Sequence, residues 1–205
     1  MTDQNVVDNE NVQGSVELED QKLSGECKKL DPASFYKQGM MSLADYISNS
    51  FKSFIDLVDL KQETKPYSDF QSMIDKQYYV VELEVNGVSF LFLMDLLLSC
   101  RLADKLIGGT GEVVSEVPEK LSFSVEFLVK KFADVLASQF RLQGYQIVTK
   151  KSELDLKYFK LFFSDDQVLT VSTQIKYDDE DVGQLLICHK DTFFEDILVH
   201  KESSS

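Results

Sequence analysis

The chain has 205 residues, with 21 Lys plus Arg against 35 Asp plus Glu and a formal net charge of −14. An acidic surface carrying two arginines, Arg101 and Arg141, excludes nucleic-acid backbone binding, which needs a basic face and bidentate donors. With 43% hydrophobic residues, fifteen Phe and no Trp, the composition supports a packed core.

Residues 1–33 hold eight acids against three lysines and few bulky apolar groups, which reads as a mobile, disordered acidic tail unable to bury a core. The domain then spans 34–200, followed by a short polar tail at 201–205. Leu43, Tyr46, Ile47, Phe51, Phe54, Ile55 and Val58 fall at helical spacing, predicting a helix with Ser42 as its N-cap. After a polar stretch, Val81, Leu83 and Val85 alternate up to Asn86-Gly87, and Val88, Phe90, Phe92 and Met94 alternate beyond it. This is a hairpin pattern, because Asn-Gly tolerates the two positive φ angles of a tight turn. Asp95 is placed to cap a helix over 96–107 that stops at Gly108. The most apolar stretch, 88–107, is interrupted by Asp95, Arg101, Asp104 and Lys105. It therefore reads as core, since a spanning helix needs about 20 nearly uncharged residues.

A second pass begins after Pro118. Val125, Leu128, Val129, Phe132, Val135, Leu136 and Phe140 predict an amphipathic helix with Ser122 near its start and Phe132 mid-stripe. Strands are expected over 158–163, 168–175 and 184–189, with the acidic turn Asp178-Asp179-Glu180-Asp181 between the last two. Thr192 and Glu195 make a capping-box pattern for a closing helix through about Val199. Both passes run long helix, polar connection, hairpin, capped helix. The fold class expected is therefore α/β: one pseudo-twofold-symmetric domain of duplicated helix-plus-hairpin units, its mainly antiparallel sheet covered by helices.

Little in the sequence resembles catalytic machinery. His189 and His200 each adjoin a lysine, and His189 reads as an ordinary strand-end side chain. The Asp178 to Asp181 run lacks the spacing of a calcium loop and reads as a solvated turn. Cys27, Cys100 and Cys188 are odd in number and without CxxC spacing, as expected of reduced thiols in the cytoplasm. No metal site, no cofactor and no catalytic residue is expected. The loop Gly108-Gly109-Thr110-Gly111, followed by Glu112, is different. Gly108 serves helix termination, but three glycines in four residues suggest a backbone approached closely by something else. A helix C-terminus repels anions, so a protein partner is expected there rather than a phosphate.

Phe90-Leu91-Phe92-Leu93-Met94-Asp95, then Leu102-Ala103-Asp104-Lys105-Leu106-Ile107 running into Gly108-Gly109-Thr110-Gly111-Glu112, resembles the middle domain of the flagellar motor switch protein FliM family. Leu121-Ser122-x3-Glu126 and the strand Gly183-Gln184-Leu185-Leu186-Ile187-Cys188 fit the same family, and the resemblance spans roughly residues 40 to 200. It implies a non-enzymatic component of the cytoplasmic rotor ring. Its middle domain would contact a FliG-like protein through Gly108, Gly109, Thr110, Gly111 and Glu112, and would contact neighbouring copies of itself. A FliN-like protein is a further implied partner, and the implied location is the cytoplasmic face of the inner membrane. A related secretion apparatus is an alternative setting.

Two departures bear on those implications. The stretch 16–23 shares only acidity and leucine with the family's N-terminal motif, which puts CheY binding in doubt. A C-terminal FliN-like domain is not expected in this chain, as in a truncated or divergent relative. The CheC and CheX phosphatases share the fold, which makes response-regulator phosphatase the alternative activity. Their helix motif, Asp or Ser-x3-Glu-x2-Asn, is half present in each long helix: Ser42, Tyr46 and Asn49 in the first, Ser122, Glu126 and Val129 in the second. Each lacks one member of the carboxylate–amide pair, so no phosphatase activity is expected.

Overall fold

A computed structural model describes residues 31–51, 55–74, 77–112, 121–177 and 180–202. The described elements are α1 (Pro32–Phe51), β1 (Ile55–Pro66), α2 (Tyr67–Met73), β2 (Tyr78–Val85), β3 (Val88–Asp95) and α3 (Leu96–Leu106), then α4 (Phe123–Leu142), β4 (Ile147–Glu153), a 3-10 turn (Leu156–Tyr158), β5 (Gln167–Tyr177), β6 (Glu180–Lys190) and α5 (Phe193–Glu202). The expected hairpin is β2–β3, in register from Val85 opposite Val88 to Tyr78 opposite Asp95. Its turn holds Asn86 at φ 46° and Gly87 at φ 86°, the paired positive angles that match the twist of the flanking strands.

The strands form a six-stranded sheet in the order β1-β5-β6-β3-β2-β4, with every pairing antiparallel. Exchanging β1 with β4, β2 with β5 and β3 with β6 reverses this order and leaves it unchanged. The expected duplication is therefore present, with an approximate twofold axis between β3 and β6. There Leu91 faces Cys188 and Leu93 faces Leu186, on either side of the Phe92–Ile187 pair. Those two flanking pairs are images of each other at an offset of about 95 residues. Each half lends its outermost strand to the other: among the described residues β1 pairs only with β5, and β4 only with β2.

One sheet face carries Val81, Leu83, Phe90, Phe92, Met94, Val171, Leu185 and Ile187 against α1, α3, α4 and α5, forming the larger core. Phe132 is fully buried in it, as its mid-stripe position requires. α1 and α4 lie antiparallel across this face: Phe35 meets Phe140 at 4.2 Å between ring centroids, and Tyr46 stands edge-on to Phe132 at 6.2 Å. They pass so closely at Gly39 that a Cβ there would lie 2.8 Å from Leu136 Cδ1. Among the described residues, the opposite sheet face is only partly roofed. Tyr78, Val80, Leu91, Leu93, Leu186 and Cys188 pack there under Tyr67 and Phe70 of α2 and under Leu156 and Phe159 around the 3-10 turn.

Four expectations need correction. The helix expected from Leu43 to Val58 begins instead at Pro32 and ends at Phe51. Its cap is Asp31, which accepts from Ser34 N at 3.1 Å, while Ser42 sits mid-helix and accepts from Gln139 Nε2 at 3.1 Å. Ile55 and Val58 belong to β1, where the helical spacing continues only by coincidence. The strand expected over 158–163 is the 3-10 turn and irregular chain, whose aromatic residues roof the second core instead of joining a ladder. The structure adds β1 and β4, which sequence periodicity does not mark.

Pro32 and Ala33, assigned above to the tail, are helical. Residues 1–30, Pro118, Asp178 and Asp179 and the end from 203 lie outside the described residues. Among the described residues no helix is long and apolar enough to cross a membrane.

Candidate partner-binding site

The Asp95 carboxylate accepts from Leu98 N at 3.1 Å and starts α3, where a free amide and the helix dipole favour a negative group. The helix stops eleven residues later as expected. Gly108 turns the chain at φ +92° and donates to Lys105 O at 3.0 Å, and Gly109 N donates back to Asp104 O at 2.9 Å. These bonds satisfy carbonyls that α3 leaves open at its C-terminus.

Asp104 then organises the rest of the loop. Its Oδ2 accepts from Gly111 N at 2.8 Å, and a Cβ on Gly109 would run into the same carboxylate. Gly111 has φ +72°, and a Cβ there would lie 2.5 Å from Lys105 Cε. Glu112 N donates to Thr110 Oγ1 at 3.3 Å. Gly109 and Gly111 are thus explained from within the chain: they fold the loop back onto Asp104 and Lys105. The expectation that their missing side chains await a partner's surface loses its premise. Sequence reasoning missed the part played by Asp104, although the signal was there as an acid one turn before a glycine-rich helix end.

The loop does present other groups outward. Ile107 is 71% exposed, Leu106 is also exposed, and Thr110 and Glu112 face solvent. Isolated exposed apolar residues are ordinary. Here two adjoin on a loop held by its own hydrogen bonds, so their positions are fixed before any encounter.

The residues tested against the phosphatase motif are committed elsewhere. On α1, Ser42 is bonded to Gln139, Tyr46 packs on Phe132 and Asn49 is exposed. On α4, Ser122 caps the helix by accepting from Val125 N, Glu126 pairs with Lys130 at 2.5 Å, and Val129 is fully buried. An apolar side chain turned into the core cannot take the amide's place beside an attacking water. Among the described residues no cluster of three or more His, Cys, Asp or Glu could hold a metal ion.

His189 is not an ordinary strand-end side chain. It is fully buried between Tyr36, Phe193 and Phe194. Its Nδ1 lies 2.6 Å from Lys190 O, and its Nε2 lies 2.5 Å from Tyr36 Oη. A carbonyl only accepts, so Nδ1 carries the proton and Nε2 accepts from the tyrosine. Burial holds the imidazole pKa down at about 4 and pushes the Tyr36 hydroxyl well above its usual range. Both groups are neutral, and the pair joins α1 to β6. Cys188 is buried and Cys100 half-buried, both as free thiols, and burial raises both pKa values, Cys100's with help from the nearby Asp95 charge.

No protein-family model matches the sequence, and no curated protein matches it significantly. Comparison with solved structures is informative. The H. pylori FliM in a FliG–FliM complex has a TM-score of 0.67 at 14% identity, with 81% of this chain and 94% of that one covered. The V. alginolyticus FliM middle domain has a TM-score of 0.64 at 10% identity, covering 81% of this chain and 96% of that one. Thermotoga maritima FliY has a TM-score of 0.60 at 16% identity, covering 86% and 99%. With its glycine-rich loop after α3 and its twofold-related halves, the chain has the fold of the flagellar switch protein FliM's middle domain.

Proposed function

We propose that the chain is a non-enzymatic component of a flagellar-type rotor switch. In this reading it acts in the cytoplasm at the inner-membrane face of the basal body. It links a FliG-like rotor protein to neighbouring copies of itself, influences rotation and its direction, and has a FliN-like protein as a further partner. The observation that carries the reading is the likeness over four-fifths of the chain to FliM domains, one of them solved in complex with FliG. The absence of a carboxylate–amide pair from α1 and α4 supports a scaffold rather than a phosphatase.

The contact with the FliG-like partner is made by the loop Gly108, Gly109, Thr110, Gly111 and Glu112 together with Ile107. The glycines shape the loop and Ile107 and Thr110 supply the surface. Ile107→Glu and Thr110→Glu should each weaken association with the cognate FliG-like protein by about tenfold or more in a calorimetric titration, as truncating an anchor does. Their melting temperatures should stay at the wild-type value. Wild-type affinity in both variants would reject this site.

A further inference from the structure

The sheet face that carries the smaller core holds a cavity of about 230 Å³ beneath α2, floored by β1, β5 and β6. We propose that this cavity binds a small organic monocarboxylate with a flat apolar body, its carboxylate held by Lys61, Ser172 and Gln184. Lys61 stands opposite Ser172, and Ser172 opposite Leu186. Directly opposed residues share a sheet face, so the three form one row across the cavity floor. Phe70 and Met73 of α2 close it from above. The cavity is apolar toward Leu186 and Phe70 and polar toward β1, an arrangement that buries a ligand's body and fixes its head.

The twofold axis sets Lys61 apart from its counterpart. The axis carries Leu91 onto Leu186, so it carries Glu82 onto Ser172 and Lys151 onto Lys61, following the register from strand to strand. At the β4 end, Lys151 stands opposite the Glu82 carboxylate, donates to Tyr158 O at 2.9 Å and lies 5.2 Å from the Phe159 ring centroid. At the β1 end a hydroxyl replaces the carboxylate, and open space replaces the rings. Among the described residues Lys61 has no ion-pair partner and the Ser172 hydroxyl has no hydrogen bond. Lys65 is already engaged: it bridges Glu63 at 2.6 Å and touches Met73 Sδ at 2.9 Å.

These groups define the ligand. Lys61 and Lys65 against Glu63 leave a single positive charge among the lining residues, which suits one carboxylate better than the nearly double charge of a phosphate ester. The Ser172 hydroxyl donates to one carboxylate oxygen. Tyr78 Oη donates to Gln184 Oε1 at 3.0 Å, so the Gln184 amide keeps its N–H groups for an acceptor. A carboxylate beside Lys61 and Ser172 supplies the charge that Glu82 supplies at the twofold-related position. Size sets the rest of the molecule. A cavity of roughly 150 Å³ holds a benzene ring, so about 230 Å³ takes a ring with a short acidic arm. Phe70 offers that ring an aromatic contact and Met73 a polarizable sulfur. Met73 is 59% exposed, and its unbranched side chain adapts to the ligand's edge.

Amide NMR titrations of the full chain with benzoate, phenylacetate and indole-3-acetate, each beside its primary amide, test this. At least one acid should give saturable shifts at residues 70–73, 170–172 and 184–186, with a Kd of about 1 mM or tighter. Its primary amide has the same shape without the charge and should bind about tenfold more weakly. Lys61→Gln should bring the acid down to the affinity of the amide and leave the amide's own affinity unchanged. Ser172→Phe fills the cavity and should abolish both. Amides of β3 and β6 report that each variant is folded, and Lys61 is exposed, so its variant tests the site even where Ser172→Phe fails to fold. No saturable shift at these residues with any of the three acids would overturn the proposal. Equal affinity for acid and amide, or wild-type affinity of Lys61→Gln for the acid, would overturn it too.

Discussion

Tyr36 and His189 are separated by 153 positions in sequence and meet inside the core through a single hydrogen bond. The imidazole has no water to solvate a charge there, so its pKa stands at about 4 against an ordinary value near 6.5. The unfolded chain takes up this proton as pH falls below about 6.5, while the folded chain resists until about 4. The neutral histidine thus contributes stability in full above pH 6.5, and that contribution is lost between 6.5 and 4. The slope can reach about 1.4 kcal/mol per pH unit, or about 3 kcal/mol across the window. Chemical denaturation of wild type and His189→Phe at several pH values should show their difference shrinking or reversing over this interval; a difference independent of pH would contradict the burial argument. Tyr36→Phe leaves Nε2 buried without a donor and should cost about 1–3 kcal/mol at neutral pH. In the loop after α3, Gly109→Ala should lower the melting temperature by driving Cβ into Asp104. Asp104→Ala removes the carboxylate that accepts from Gly111 N and should loosen the loop, accelerating exchange at residue 111.

At the scale of elements, α4 is the central support. Phe132 is fully buried and Tyr46 rests on it from α1. Phe132→Ala should therefore cost about 3–5 kcal/mol in denaturant titration, and a cost below about 1 kcal/mol would mean the cavity refills from α1. What was legible in the sequence obeys the same logic. The α4 stripe, the β2–β3 hairpin, the Asp95 cap and the Gly108 stop are local devices, each complete within a few residues. β1 and β4 were illegible because both are sheet edges. Lys61, Glu63 and Lys65 on one, and Lys150 and Lys151 on the other, need no buried alternation. The aromatic run at 158–163 misled for the opposite reason: its side chains roof a core without joining the sheet. The start of α1 was hidden because Phe35, Tyr36, Gly39 and Met40 carry a weaker periodic signal than the residues after Leu43. In the candidate site, the loop's position was legible and its glycines were not. Their reason lies in Asp104 and Lys105, which only the folded chain brings against them.

Over the whole molecule, the exchange of edge strands makes the two halves interdependent. β1 of the first half is held by β5, and β4 of the second by β2, while β3 and β6 join the halves at the axis. Neither half can open without unpairing the other, so unfolding should be a single transition in which all probes coincide. Two resolved transitions, or a stable fragment ending near residue 112, would show that the halves fold separately. The most direct measurement is amide exchange, mapped along the chain, with and without the cognate FliG-like protein. The account predicts slowed exchange at residues 104–112, with the sheet amides of β3 and β6 unaffected. Binding that protects another surface and leaves 104–112 unchanged would contradict it.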